Sequence, residues 1–331
     1  MRIGMWEFAV STMAISGLSF AASAGKPEDV YPSRAISIVV GYPPGGGADA
    51  LARILARHLG RELGKSVVIV NRPGAAGNIG AESVARQAKP DGYTLFLSAR
   101  PNTIHKMMYA NLKFDFMQDL SPVSLIGTSP NVIVTGKHSG IRSVHDLLDR
   151  ARAAPGKVMC ASSGIGTTGY LLCEMFQQEA AINMEHVPYK GSEQGYVDLM
   201  GGRVDVLFTT LPAAAPYLDA GTLRGLAIMS QTSTRHPVNL PTMSDLGFPV
   251  LDLDAWAGLM APAGTPAGVM ERLNSAINKL LITEEMANEL DRLGYIAPRQ
   301  PNPPDVLQAL VAQETERWTA ILRMRSIFPF H

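Results

Sequence analysis

The amino-acid sequence predicts an α/β protein of two lobes, each a mixed, mainly parallel sheet with helices on both faces. Three observations predict it. Continuous apolar runs alternate with glycine-rich loops and amphipathic stretches, the pattern of β-α-β units. At 331 residues the chain exceeds one comfortable core. One extended, Pro-punctuated segment (residues 123–135) separates two such series, as a crossing between lobes would.

The first series opens at residues 35–41 (AISIVVG), a run of the buried parallel-strand kind. Residues 42–47 (YPPGGG) break it. Leu51, Leu55, Leu59 and Leu63 then recur every four residues on one helix face, and Gly64 stands where a left-handed C-terminal residue belongs. A strand over 67–70, the loop 71–80 (NRPGAAGNIG), a helix over 81–88, a turn at 90–92 and a strand over 93–98 follow. Past the crossing, Ser143 caps a helix through 154. A strand over 157–162, the loop 163–169, a helix over 170–179, strands at 186–187, 204–208 and 223–229, and a helix over 194–200 form the second series. Residues 240–259 lead back. Helices are expected from Thr265-Pro266 through 281 and over 304–324.

Composition narrows the function. Hydrophobic residues make up 46% and charged residues 18%, which fits a packed globule rather than a disordered chain. Lys plus Arg and Asp plus Glu are 29 each, so no global field draws nucleic acid or an anionic membrane. Any preference for anions must come from local geometry. Arg2, an uncharged run over 8–20 and Ala22-Ser23-Ala24 read as a secretory leader cut near Ala24, with export to the periplasm; a membrane anchor competes, but the run is short for a span of about 20 residues. Cys160 and Cys173 make no metal-ligand pattern. The sequence favours two buried free thiols, with a bridge as the alternative in an oxidising compartment.

Three glycine-rich loops each end a strand and open a helix. The first turn of a helix carries unpaired N–H groups and the positive end of the dipole, and glycine lets an anion reach them. Gly45-x-Gly47-x-x-Ala50 and Gly164-x-Gly166-x-x-Gly169 also fit a loose dinucleotide pattern. Pro43-Pro44 lengthens the first turn, however, and Asn71-Arg72 stands where an acid should end the next strand. Ser162-Ser163-Gly164 lacks the nucleophile elbow, and His58, His105, His138, His145, His186, His236 and His331 show no metal spacing. No cofactor, metal or catalytic residue is expected.

Taken together, Tyr42 to Asp49 with Ala52-Arg53, the loop Asn71 to Gly80, Pro90-Asp91-Gly92-Tyr93-Thr94-Leu95, Ser162-Ser163-Gly164-Ile165-Gly166-Thr167, His186-Val187-Pro188-Tyr189-Lys190-Gly191, Gly201-Gly202-Arg203-Val204-Asp205, Trp256-Ala257-Gly258-Leu259 and Ala261-Pro262-Ala263-Gly264-Thr265-Pro266 give the chain its likeness. It resembles the Bug-type extracytoplasmic solute receptors of tripartite tricarboxylate transporters. The resemblance implies a type II periplasmic-binding-protein (Venus-flytrap) fold, with lobe 1 at 31–125 plus 251–331 and lobe 2 at 126–250. It also implies capture of a small organic anion, a carboxylate, by a monomer that delivers it to a membrane permease without chemistry. A ligand sensor for a signalling partner, or a secreted α/β hydrolase testable at Ser163, are the alternatives.

Carried over by the same likeness, Tyr42, Pro44, Gly46, Gly47, Ala48 and Asp49 would line one side of the ligand. Ser163, Gly166, Thr167 and Thr168 would close from the other lobe, the two threonine hydroxyls donating; Asn78 and Asp205 are further candidates. Asp49 has a second reading, as an i,i+4 partner of Arg53 at a helix N-terminus. Two departures stand out: Tyr170 replaces the family's usual His, and Arg100 follows a strand where small or polar residues are familiar. Arg100 would hold a carboxylate bidentately or remain a surface side chain. Lys190 steers anions or is a solvated turn residue.

Overall fold

Two series of strands fold into two five-stranded sheets, and the chain crosses between them along continuous extended backbone. The computed structural model describes Met1 and residues 31–109, 111–230 and 239–327. The expected cleavage near Ala24 lies outside these.

The first series comprises β1 (Ile36–Val40), α1 (Gly47–Leu63), β2 (Val67–Asn71), α2 (Asn78–Gln87) and β3 (Thr94–Ala99). A short helix, α3 (His105–Met108), precedes β4 (Leu120–Ser129), which runs past Pro130 directly into β5 (Asn131–Gly136). The second series is α4 (Val144–Ala153), β6 (Met159–Ser162), α5 (Thr168–Ala180), β7 (Glu185–Pro188), α6 (Ser192–Met200), β8 (Val206–Thr210), α7 (Leu211–Asp219) and β9 (Leu223–Met229). The chain then returns through β10 (Ala255–Pro262) to α8 (Ala267–Leu281), α9 (Glu284–Leu293) and α10 (Pro304–Met324).

Strand order is β2-β1-β3-β10-β4 in one sheet and β7-β6-β8-β5-β9 in the other. In the first, β1 pairs in parallel with β2 and β3, while β10 pairs antiparallel with β3 and β4. In the second, β6 pairs in parallel with β7 and β8, and β5 antiparallel with β8 and β9. Thus β4–β5 enters the second sheet and β10 re-enters the first beside it.

Each sheet is buried on both faces, which explains its unbroken apolar strands. Leu51, Leu55, Leu59 and Leu63 of α1 pack with Ile36, Ile38, Leu95 and Leu259 on one face of the first sheet. Val39, Phe96, Trp256, Leu307 and Val311 fill the other. α1 ends at Gly64, whose φ of 67° is the left-handed value glycine adopts without strain. Ser143 caps α4 by accepting from the Asp146 amide at 3.1 Å. The long α10 contributes Leu307 and Val311 to the first sheet's core and Trp318 and Leu322 to the core around β6, β8 and α5.

Besides the short α3, two helices escape sequence reasoning. α7 carries Pro212 at its first turn, where no N–H is needed, and Pro216 inside, so its sequence reads as a loop. α9 follows α8 after Thr283, whose hydroxyl accepts from the Met286 amide and starts a new helix. The free-thiol reading is also overturned. Cys160 on β6 and Cys173 on α5 form a disulfide with a Cα–Cα distance of 6.9 Å. The physical reason is the packing of α5 back over its own strand: both cysteines belong to the core between them and are fully buried.

Candidate functional site

Between the sheets, at the carboxyl ends of β1, β3, β6, β7 and β8, lies a cavity enclosing ≈ 850 Å³ of empty space with its mouth included. Helical first turns ring it. Gly46, Gly47 and Ala48 belong to the N-terminus of α1, Thr167, Thr168 and Gly169 to α5, Gly191, Ser192 and Glu193 to α6, and Thr210 and Ala213 to α7. Neither Gly46, Gly191 nor Thr210 caps its helix with a side chain. The first turns of α1 and α6 therefore offer amides and the positive dipole end to a guest, whereas in α7 the Leu211 amide donates to Pro130 O, Pro212 has no N–H and mainly the dipole remains.

Glycine is required where the walls meet. A Cβ at Gly47 would stand 2.9 Å from the Ala213 amide nitrogen and 3.1 Å from Pro212. At Gly169 it would lie 2.1 Å from the Phe208 carbonyl oxygen, so α5 could not sit on β8. This is the helix-on-strand role of the third glycine in a G-x-G-x-x-G turn.

Of the residues expected at the site, Tyr42, Gly46, Gly47, Ala48, Arg100, Ser163, Thr167 and Thr168 line the cavity. Five do not. Pro44 is exposed at the rim of the turn. Asp49 is buried and spent: Gly45 N–H (3.0 Å), Arg53 Nε (2.8 Å) and Asn71 Nδ2 (2.9 Å) all donate to it. Burial pushes its carboxyl up, but these donors outweigh that and hold it below the usual carboxylate range. It staples the loop to α1, as the Arg53 reading expected. Asn78 is fully buried, donating to Ala75 O and accepting from Asn102. Gly166 packs against the Tyr109 ring, whose hydroxyl donates to Ile165 O. Asp205 precedes β8 at its amino end, away from the cavity, where it accepts from Met159 N and pairs with Arg150.

The Thr167 hydroxyl needs a second correction. Thr167 Oγ1 donates to Gly164 O at 2.6 Å and accepts from Tyr170 N, so it holds its own turn and has no proton to offer. Tyr170 is buried among Cys160, Leu172 and Phe176, outside the lining. Lys190 is an exposed turn residue.

Arg100 is neither surface nor simply a carboxylate clamp. It is 2% exposed, donates through Nε to Glu314 of α10 at 2.6 Å and lies over the Trp318 ring at 5.1 Å. Its Nη1 has no partner in the protein, and the same holds for Ser129 Oγ and Trp256 Nε1, two other lining residues. Buried donors left open in this way are expensive unless something else accepts from them.

Sequence reasoning missed Ser129, Glu193, Thr209, Thr210, Trp256 and Tyr295, all in the lining. The run Thr209-Thr210-Leu211-Pro212 was a legible sign, a strand end followed by Pro at a helical first turn. Glu193 had no sign, because its turn reads as solvated. The Ser162 hydroxyl and His186 Nε2 lie 2.8 Å apart, a nucleophile–base distance, yet neither lines the cavity. Burial pushes His186 down to about 4, and among the described residues no carboxylate orients it. Among the described residues one cluster has metal-ligand proximity, His58, Glu285 and Glu289, but Arg57 and Arg61 already pair with its carboxylates.

A profile described as "Tripartite tricarboxylate transporter family receptor" matches residues 51–327. The chain belongs to the tripartite tricarboxylate transporter receptor family. Protein BugT of Bordetella pertussis is 37% identical to this receptor over 315 residues, 94% of each chain. The solved structure of R. palustris Rpa4515 with adipate is 32% identical and superposes with a TM-score of 0.86, covering 91% of this receptor and 100% of that chain. The periplasmic binding protein BugD is 27% identical with a TM-score of 0.86, covering 91% and 100%. The receptor thus has the two-sheet fold of a periplasmic binding protein.

Proposed function

We propose that this chain is exported through an N-terminal leader, captures a small organic acid between two lobes, and delivers it to the membrane permease of a tripartite transporter without transforming it. The lobes are residues 31–125 plus 251–331 and residues 126–250, with the crossings at β4–β5 and before β10 as hinges and α10 laid along both. The carrying observation is the ring of helical first turns without side-chain caps around a cavity that Arg100, with its buried and unpartnered Nη1, also lines. Such a wall attracts a carboxylate although the chain carries as many acidic as basic residues. The structure of Rpa4515 with adipate supports a carboxylate guest. Catalysis has no support at the cavity, since neither Ser162 nor His186 belongs to its lining.

Calorimetry and thermal shift against mono- and dicarboxylates test the reading. A true ligand binds one to one and, at a hundredfold excess over Kd, raises stability by about 2.7 kcal/mol. Silence across organic acids, with a response to sugars or amines, refutes it. Capture of the permease from membranes by the loaded receptor tests the delivery step.

A further inference from the structure

A carboxylate of the protein itself stands in the wall that should greet an anion. Glu193, in the first turn of α6, lines the cavity and faces the N-terminal turn of α1 across it. Its Oε1 lies 2.5 Å from where a Cβ of Gly46 would be, and its Oε2 lies 2.7 Å from the corresponding point at Gly191. Gly191 has a φ of 154°, and a side chain there would also strike Pro43 at 2.9 Å. Two glycines thus make room for this one carboxylate. Among the described residues no basic side chain pairs with Glu193. Burial, and secondarily the charge of Asp49, push its carboxyl above the usual range, while its own amide partly offsets this.

The opposite wall has the complementary defect, Arg100 with Nη1 unpartnered and buried. A plain dicarboxylate would satisfy the arginine and the helical amides but would set its second charge against Glu193. A guest with a carboxylate at one end and a donor at the other satisfies both walls.

Resting on the receptor reading above, we propose that Glu193 is the specificity residue of the cavity, accepting a hydrogen bond from an ammonium, amide or hydroxyl group of a monocarboxylate ligand and excluding unsubstituted dicarboxylates. The obvious structural role for Glu193 is a charge at the α6 N-terminus. That role would affect stability and leave the choice between ligands unchanged.

The test uses probe pairs matched in carbon number: adipate with 6-aminohexanoate and adipamate, and succinate with 4-aminobutanoate and succinamate. Calorimetry is run on the mature receptor, on Glu193→Gln and on Glu193→Ala. In the wild type the ammonium or amide member of a pair should bind at least tenfold more tightly than the dicarboxylate. Both variants should shrink that ratio tenfold or more, chiefly by admitting the dicarboxylate. Retained binding with a ratio that neither variant moves by more than twofold overturns the role of Glu193 and leaves the receptor reading intact. Wild type and variants that bind none of these acids overturn both.

Discussion

Replacing Gly47 with alanine separates the stability of α1 from the fit between the two walls of the cavity. Within the helix the change is favourable, since alanine exceeds glycine in helix propensity by about 1 kcal/mol at most. Across the cavity it is not. The new methyl would stand 2.9 Å from the Ala213 amide nitrogen and 3.1 Å from Pro212, where ordinary contact begins at 3.4 Å. Backbone atoms cannot rotate aside, so the α1 and α7 turns must part by several tenths of an ångström. Overpacking of this kind costs about 1–3 kcal/mol. If ligand binding requires the two turns at their present separation, the same energy appears as about a 5- to 150-fold rise in Kd. Urea unfolding of the empty protein should change by less than about 1 kcal/mol, because an open cleft relieves the contact. Calorimetry with the best acid of the panel reads the affinity. An unchanged Kd would refute the idea that the bound state brings Gly47 against α7.

Two further outcomes follow from buried charge and from acid. Glu314→Gln leaves Arg100 buried without its counter-ion and should cost about 3–5 kcal/mol in urea unfolding. Adding Arg100→Met should recover most of that loss. A single variant within about 1 kcal/mol of wild type would show that the pair is not buried in solution. His186, pushed down to about 4 by burial, is neutral in the folded protein near pH 6, whereas the unfolded chain takes up a proton below about 6.5. Its contribution is therefore lost as pH falls from about 6.5 to about 4. By pH 4.5 the loss should reach no more than about 2–3 kcal/mol, less whatever partial exposure screens. In His186→Gln the slope of stability against pH should flatten over that window. An identical slope in both proteins would exclude His186 as its source.

Local pattern made much of this protein legible. Residues 35–41 read as a strand buried on both faces because the run is short, rich in β-branched residues and closed by a Pro-Gly turn, and Leu51, Leu55, Leu59 and Leu63 read as a helix face because the 3.6-residue period is a property of the chain itself. Strand-loop-helix order then placed the glycine turns at the carboxyl ends of the strands, and eight expected residues do line the cavity there. Asp49, Asn78 and Asp205 had the right chemistry; the i,i+4 spacing revealed the Arg53 partner of Asp49, but Asn71, Asn102 and Arg150, which engage Asp49, Asn78 and Asp205, are partners that spacing does not reveal. The Cys160–Cys173 bond likewise depended on how α5 leans on β6.

Sequence by itself determined the alternation of elements, the turns that must be glycine and the absence of any global charge preference. Tertiary structure alone decided which polar groups remained unpaired. Arg100 lost its freedom to Glu314, which is 214 positions away, while Glu193 gained a place facing α1 with no basic side chain paired to it among the described residues. Hydrogen bonding and desolvation depend on what surrounds an atom in space, and for long-range partners that is known only once the sheets have been brought together.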